Sequence, residues 1–167
     1  VYCPGYFRHG RRTYRCWKRG GHGSVNIHEA LKQSCDVYFY TNGVKLGIDR
    51  IAYFAKSFGL GHRTGIRLAN EAPGLIPSTD WKRRRFGVVW YPGETVSASI
   101  GQGYNLYTPL QLAVAYAALA NGGKVLQPRL LLRLEDRDGT VLEEFPPQVR
   151  SEVPISPQHL AVVQIGR

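Results

Sequence analysis

Helix-capping and helix-stopping residues divide residues 26–59 into three short helices joined by tight corners. Asn26 is a favourable N-cap with a glutamate at the third helical position, and apolar residues follow at helical spacing. Asp36 is placed to cap a second helix that stops at Gly47, and a third helix begins at Asp49. Because a corner between amphipathic helices exposes polar side chains, this stretch predicts a place where the chain can present chemistry.

The segments on either side of these helices lack the pattern of a regular helix. Residues 1–23 form a Gly- and Arg-rich stretch that predicts a loop, and residues 61–103 break into short pieces rich in Gly, Pro and Ser. The first segment ends in three glycines that flank His22 and permit unusual backbone angles. We therefore expect irregular structure before and after the three helices.

The last third of the chain predicts a helix, a hairpin and a further helix. Thr108 caps the first helix with Pro109 at its first position. Residues 130–134 and 140–145 flank an Asp-Gly turn dipeptide, which is typical of a β-hairpin, and a final helix is expected from Pro157 onward. The fold class expected from these elements is mixed α/β and rich in helix.

The chain is strongly basic, with 22 Lys and Arg against 12 Asp and Glu and a formal net charge of +10. Positive charge is concentrated in residues 8–19, where aromatic residues interleave it, and in residues 82–85. Charge with interleaved aromatics would suit a nucleic acid or another polyanion. No nucleic-acid-binding signature accompanies it, so such a binding module is kept only as the alternative function. No apolar run approaches the roughly 20 residues that span a bilayer.

Three cysteines leave three states open. Cys3 and Cys16 lie 13 positions apart in the Gly- and Arg-rich segment, and a disulfide between them would contribute about 3 kcal/mol in an oxidising compartment. Metal is an alternative, with Cys3, His9, Cys16 and His22 as ligands, although this spacing matches no standard zinc finger. Free thiols are the third state. Cys35 is expected to stay reduced as a small buried apolar group.

Ser34-Cys35-Asp36 occupies the corner between the first two predicted helices. A hydroxyl at the end of one helix and an acid at the start of the next can converge on one cleft, where Ser34 relays a proton and Asp36 orients an amine. The plainer alternative is that Asp36 is only an N-cap. Residues 101–103, Gly-Gln-Gly, lack the Lys-Ser/Thr of a phosphate loop and predict a tight turn that lets the backbone approach the cleft.

The order and spacing of several segments resemble the transpeptidase domain of class B penicillin-binding proteins. The segments are Gly20-Gly21-His22-Gly23, residues 30–40 (ALKQSCDVYFY), Phe58-Gly59-Leu60-Gly61 with Thr64-Gly65-Ile66, Ser99-Ile100-Gly101-Gln102-Gly103-Tyr104, and Thr108-Pro109-Leu110-Gln111. Residues 81–95 are most similar to the elongation-type members, the penicillin-binding protein 2 group. The resemblance covers nearly the whole chain.

This resemblance implies the serine β-lactamase/transpeptidase-like fold and acyl transfer by a serine enzyme without a cofactor. The implied substrates are peptidoglycan stem peptides, with β-lactams as inhibitors, and the implied partners are an elongation polymerase and scaffold proteins, not nucleic acid. The implied location is the periplasmic side of a bacterial inner membrane, which favours the Cys3–Cys16 disulfide. Ser34 and Asp36 would be catalytic, and they would bind substrate together with Gly101, Gln102 and Gly103.

The family uses three motifs, Ser-x-x-Lys, Ser-x-Asn and Lys-Thr-Gly. Only the second occurs in residues 1–167, where Ser34-Cys35-Asp36 has Asp36 in place of the more common Asn. We therefore expect a central fragment of a transpeptidase domain, inactive by itself because the nucleophile and the substrate-binding strand lie outside it. A catalytically dead scaffold domain is the remaining alternative.

Overall fold

The computed structural model describes residues 1–165, which form short β-strands and helices in an α/β arrangement. The strands are β1 (Tyr2–Cys3), β2 (Tyr6–His9), β3 (Arg12–Arg15), β4 (Gly23–Ser24), β5 (Lys124–Leu126), β6 (Arg133–Glu135), β7 (Val141–Glu144) and β8 (Val149–Glu152). The helices are α1 (Ile27–Lys32), α2 (Asp36–Leu46), α3 (Ile48–Ser57), α4 (Thr79–Phe86), α5 (Pro92–Ala98), α6 (Pro109–Ala120) and α7 (Pro157–Ile165). The mixed, helix-rich class is the one predicted from the sequence.

Residues 1–23 do not form the loop that the sequence predicts. Strands β2 and β3 form an antiparallel hairpin that turns at Gly10, where φ is 58°, and β1 pairs with β4. Phe7 and Tyr14 lie opposite each other in this hairpin, and both rings contact Tyr40 of α2, with centroids 6.0 and 5.8 Å from the Tyr40 ring. Aromatic contact with a distant helix therefore stabilises strands that have only a weak local pattern.

The three predicted helices are confirmed as α1, α2 and α3. The Asn26 side chain accepts a hydrogen bond from the Glu29 amide at 2.9 Å, as its capping role requires. One detail is wrong, because Asp36 does not cap α2. Cys35 is the N-cap residue, and Asp36 is the first helical residue, with its carboxylate bonded to Trp17 instead.

Two helices occur in the segment that was expected to be irregular. Helix α4 carries mainly charged residues, so it lacks the apolar stripe that predicts a helix from sequence. Its Lys82 is 4% exposed and its Nζ lies 2.5 Å from both carboxylate oxygens of Glu94 in α5. This ion pair and the aromatic rings of Trp90 and Tyr91, which Lys82 Nζ faces, join α4 to α5.

The last third follows the prediction. Thr108 caps α6 through the Gln111 amide, β6 and β7 form the predicted hairpin, and α7 begins at Pro157. One buried cluster lies under α1, α2, α5 and the N-terminal strands, and a second lies between α6, β5 and Val153. Within residues 1–165, none of the helices has both the length and the apolar character that crossing a membrane requires.

Candidate functional site

The corner between α1 and α2 holds Ser34 in an unusual backbone conformation. Its φ is 52°, and in the described part of the chain only Asn70 shares a positive φ among residues other than glycine. The Ser34 amide bonds to the Leu31 carbonyl at 3.3 Å, and the Cys35 amide bonds to the Ala30 carbonyl at 2.9 Å. These bonds end α1 and turn the chain sharply, so that Ser34 is exposed while Cys35 is fully buried.

Trp17, from the N-terminal segment, forms hydrogen bonds to this corner. Its indole Nε1–H lies 3.0 Å from the Gln33 carbonyl and 2.9 Å from the Ser34 carbonyl. Its backbone amide donates a hydrogen bond of 2.9 Å to the Asp36 carboxylate. One residue in the N-terminal segment therefore contacts both members of the predicted catalytic pair.

Ser34 and Asp36 line a common cleft of about 350 Å³. The opposite wall contains Ser99 and Ile100, which directly follow α5. Helices α2 and α5 approach closely at Gly43, because a Cβ atom built there would lie only 2.3 Å from Ser99 Cβ. A side chain at position 43 would therefore push against Ser99, which lines the cleft.

Gly101, Gln102 and Gly103 lie next to this cleft but do not line it. They form an exposed turn with φ of 77° at Gly101 and 75° at Gly103, and Asn105 bonds the Gln102 carbonyl at 2.9 Å. The predicted tight turn is confirmed. Its role in substrate binding stays a prediction.

Behind the corner, four potential metal ligands converge, namely one atom each of Cys3, Cys16, His22 and Cys35, all within 4.8 Å of one another. His22 Nδ1 lies 3.6 Å from Cys3 Sγ and 3.5 Å from Cys16 Sγ. In a tetrahedron with Zn–S of about 2.3 Å and Zn–N of about 2.0 Å, the sulfur-to-nitrogen edge is about 3.5 Å. The donor set and its spacing therefore fit zinc.

Two expectations from the sequence concern these residues. In the described residues Cys3 and Cys16 are not joined by a disulfide; both sulfurs contact the His22 ring, and Cys35 lies with them in one cluster. The Cys3–Cys16 disulfide stays a prediction. His9 is not part of the cluster, because it lies at the end of β2, where its ring stacks on Phe7 with centroids 6.1 Å apart. Cys35 takes the fourth position that the sequence analysis gave to His9.

The thiols of the cluster differ in acidity. Burial by itself would raise the pKa of Cys3, but hydrogen bonds with His22 and the Gly5 backbone outweigh it and lower the pKa to about 7. Burial, together with the neighbouring Cys3 and Cys16, raises the pKa of Cys35 to about 11. A cation among the three sulfurs would favour the thiolate in each case, because metal ligation requires deprotonated cysteine.

The predicted pair Ser34 and Asp36 lies at one cleft, whereas the sequence did not indicate Trp17, Ser99 and Ile100 as neighbours of this pair. Trp17 contacts residues 16 to 19 positions later in the chain, and Ser99 meets α2 only through folding. The one available signal was the position of Trp17 directly after Cys16, in a segment where aromatic residues interleave with charge.

The sequence profile described as "Penicillin binding protein transpeptidase domain" matches residues 2–166. The chain belongs to this family.

Similar proteins agree with this assignment. The peptidoglycan D,D-transpeptidase MrdA of Salmonella typhimurium (strain SL1344) is 43% identical over 156 residues, which are 92% of this chain and 24% of that protein. The structure of Pseudomonas aeruginosa PBP2 in complex with WCK 5153 matches with a TM-score of 0.86 and 40% identity over 99% of this chain and 37% of that one. A complex of PBP2 and MreC from Helicobacter pylori matches with a TM-score of 0.83 and 30% identity over 99% of this chain and 29% of that one. The chain thus spans about a quarter of the length of the MrdA relative.

Proposed function

We propose that the protein to which this chain belongs is a peptidoglycan D,D-transpeptidase of the elongation type, with Ser34 and Asp36 in its active site. The observation that carries the proposal is the placement of Ser34-Cys35-Asp36 at the family's second motif, on a sharp helix corner that lines a cleft. The family match and the 43% identity to a D,D-transpeptidase support the same reading. The family match gives no support to the alternative of a nucleic-acid-binding module.

The reaction is an acyl transfer in two steps. A serine from the Ser-x-x-Lys motif, which residues 1–167 do not contain, attacks the amide between two D-Ala residues and forms an acyl-enzyme ester while the terminal D-Ala leaves as an amine. An amine of a neighbouring stem then attacks the ester, forms the cross-linking amide and releases the serine. Ser34 relays a proton to the leaving amine, and Asp36 orients the lysine of the absent motif or the substrate peptide.

Substrate, partner and location form the finer part of the proposal. Stem peptides would lie against Ser34 and Asp36, with the turn at residues 101–103 at one end of the cleft. The complex of Helicobacter pylori PBP2 with MreC supports a protein partner, for which we infer a scaffold protein, and the complex of Pseudomonas aeruginosa PBP2 with WCK 5153 supports a ligand-binding site, for which we infer β-lactam inhibitors. We infer an elongation polymerase as a further partner and the periplasmic side of the inner membrane as the location.

Labelled penicillin tests the proposal. The whole protein should form a covalent adduct that maps to a serine outside residues 1–167, whereas the isolated chain should form none, since no serine here is followed three residues later by lysine. An adduct on any serine of the isolated chain would show that the motif assignment is wrong. A whole protein that takes up no label would favour the dead scaffold domain.

We also propose that Cys3, Cys16, His22 and Cys35 bind one structural Zn²⁺. The convergence of the four ligand atoms within 4.8 Å supports it, and a Cys₃His set is among those that close a structural zinc site. A bound zinc would hold β1, the end of the β2–β3 hairpin and the Ser34 corner together. Because Cys35 lies between Ser34 and Asp36, the ion would limit the motion of both.

Metal analysis of the purified protein tests this second proposal. We expect about one zinc per chain, its loss in His22→Ala and its retention in the matched control His9→Ala. Alkylation after unfolding with a chelator and without a reductant should label all three cysteines. Labelling of one cysteine and absence of zinc would favour the Cys3–Cys16 disulfide instead.

A further inference from the structure

The backbone of Ser34 needs an external restraint. A residue other than glycine with φ near 50° is held in a sparsely populated conformation, and such conformations persist only where the surroundings enforce them. Ser34 is exposed, so packing of its own side chain does not supply that restraint. The direction of the Ser34 side chain therefore depends on the hydrogen bonds made by the peptide groups of the corner between α1 and α2.

The Ser34 and Cys35 amides bond the Leu31 and Ala30 carbonyls, and Trp17 adds the bonds on the carbonyl side of these peptide groups. Its indole N–H is shared between the Gln33 carbonyl at 3.0 Å and the Ser34 carbonyl at 2.9 Å. The Ser34 carbonyl belongs to the peptide plane that joins Ser34 to Cys35, so this contact restrains rotation of the Ser34 backbone. The Trp17 amide at the same time holds Asp36 Oδ2 at 2.9 Å.

The surroundings of Trp17 do not resemble those of a core residue. Its side chain is 63% exposed, and its ring makes an edge contact with His22 at a centroid distance of 5.3 Å. A tryptophan that stabilised the domain by burial would hide most of its area from water. Trp17 therefore contributes to the structure mainly through its hydrogen bonds to the corner between α1 and α2.

We propose that Trp17 is a positioning residue for the acyl-transfer reaction, whose indole N–H holds the Ser34 peptide in the conformation from which the hydroxyl relays its proton. This inference rests on the proposed role of Ser34. Displacement of a reacting group by about 1 Å can cost about 100-fold in rate. The loss of this one N–H should therefore slow the chemical step, while binding of the substrate is little changed.

Trp17→Phe in the whole protein tests the inference, because it removes the indole N–H and keeps both an aromatic ring and the backbone amide. We expect the first-order rate constant for acylation by labelled penicillin to fall about 10- to 100-fold. The dissociation constant of the noncovalent complex should stay within about threefold of the wild type, and the zinc content should be unchanged. Trp90→Phe is the matched control, since it removes an indole bond of 2.9 Å to Thr95, and its acylation rate should stay within about threefold.

A double-variant cycle separates positioning from a general loss of structure. If Trp17 acts through Ser34, adding Trp17→Phe to Ser34→Ala should slow acylation by less than about twofold further. Multiplicative effects of the two changes, or an unchanged rate in Trp17→Phe alone, would overturn the inference. A Ser34→Ala variant that acylates at the wild-type rate would instead overturn the proposed role of Ser34 itself.

Hydrogen exchange of the Trp17 indole N–H tests the inference on the wild-type protein, so that the result does not depend on whether a variant folds. In the wild-type protein this proton should exchange much more slowly than that of an exposed, unbonded indole, although the ring is mostly exposed. Rapid exchange would show that the bond to the Ser34 carbonyl is not maintained, and it would overturn the inference.

Discussion

Removal of the Glu94 carboxylate should cost more stability than any single surface change in α4 or α5. Lys82 is 4% exposed and its Nζ lies 2.5 Å from both carboxylate oxygens of Glu94, which is 24% exposed. Breaking a buried ion pair from one side leaves an uncompensated charge and costs about 3–5 kcal/mol. Because Glu94 is partly exposed, the expected cost of Glu94→Gln lies below this range or at its lower limit, at about 2–3 kcal/mol.

Removal of the other partner should cost less. Lys82→Met deletes the buried ammonium group, and the Glu94 carboxylate keeps both its contact with water and its hydrogen bond from the Tyr91 amide at 2.8 Å. We expect a loss of about 1 kcal/mol. The double variant Lys82→Met/Glu94→Gln should be more stable than Glu94→Gln alone, because neither group then lies buried without its partner.

Calorimetric unfolding of the whole protein measures the difference. For a domain of this size, each kcal/mol lowers the melting temperature by about 2–4 °C, so Glu94→Gln should melt about 4–12 °C lower than the wild type. The order of melting temperatures should be wild type, then the double variant and Lys82→Met, then Glu94→Gln. A Glu94→Gln variant that melts like the wild type, or a double variant no more stable than Glu94→Gln, would refute the reasoning.

Two further predictions concern the frame around the cleft. Burial by itself would raise the pKa of Glu71, but hydrogen bonds from Thr64 and Gly65 outweigh it and lower the pKa. The free energy of unfolding should therefore fall as the pH drops below about 4.3, the pKa of a glutamate in the unfolded chain. Unfolding measured between pH 3 and 6 checks this, and a wild type as pH-dependent as Glu71→Gln would contradict it. Gly43→Ala should destabilise the domain by about 1–3 kcal/mol and slow acylation, because the alanine Cβ would meet Ser99. Melting experiments that show a gain in stability of about 1 kcal/mol, as expected for this change at an open helical site, would contradict the close contact.

Local signals in the sequence predicted some elements well and others not at all. Helices α1 and α6 have Asn26 and Thr108 as capping residues, and both caps act as the sequence predicts. Helix α4 was missed because five of its eight residues are charged, and its stability depends on Lys82 meeting Glu94 from another helix. The β2–β3 hairpin was missed because its strands depend on aromatic contacts with Tyr40.

In the candidate site, too, residues with local sequence signals could be predicted, and residues that meet only through distant contacts could not. Ser34 and Asp36 could be placed at one corner, because they are two positions apart in sequence and lie between two helices whose ends the sequence predicts. The partners of the corner could not be predicted, because Trp17 and the Cys3, Cys16 and His22 ligand atoms come from strands and loops that only the folded chain brings together. Three cysteines with a nearby histidine indicate either a disulfide or a metal, and only the folded chain brings Cys35 to the others.

The rate of acylation of Ser34→Ala tests the central claim most directly. The matched control is Ser57→Ala, since Ser57 is also a serine at the end of a helix, where its hydroxyl bonds the Tyr53 carbonyl at 2.9 Å. In the whole protein, labelled penicillin should acylate Ser34→Ala about 10²- to 10⁴-fold more slowly than the wild type, since a proton relay supplies that range of rate. Ser57→Ala should react at the wild-type rate. Acylation of Ser34→Ala within a few-fold of the wild type would contradict the role assigned to this corner.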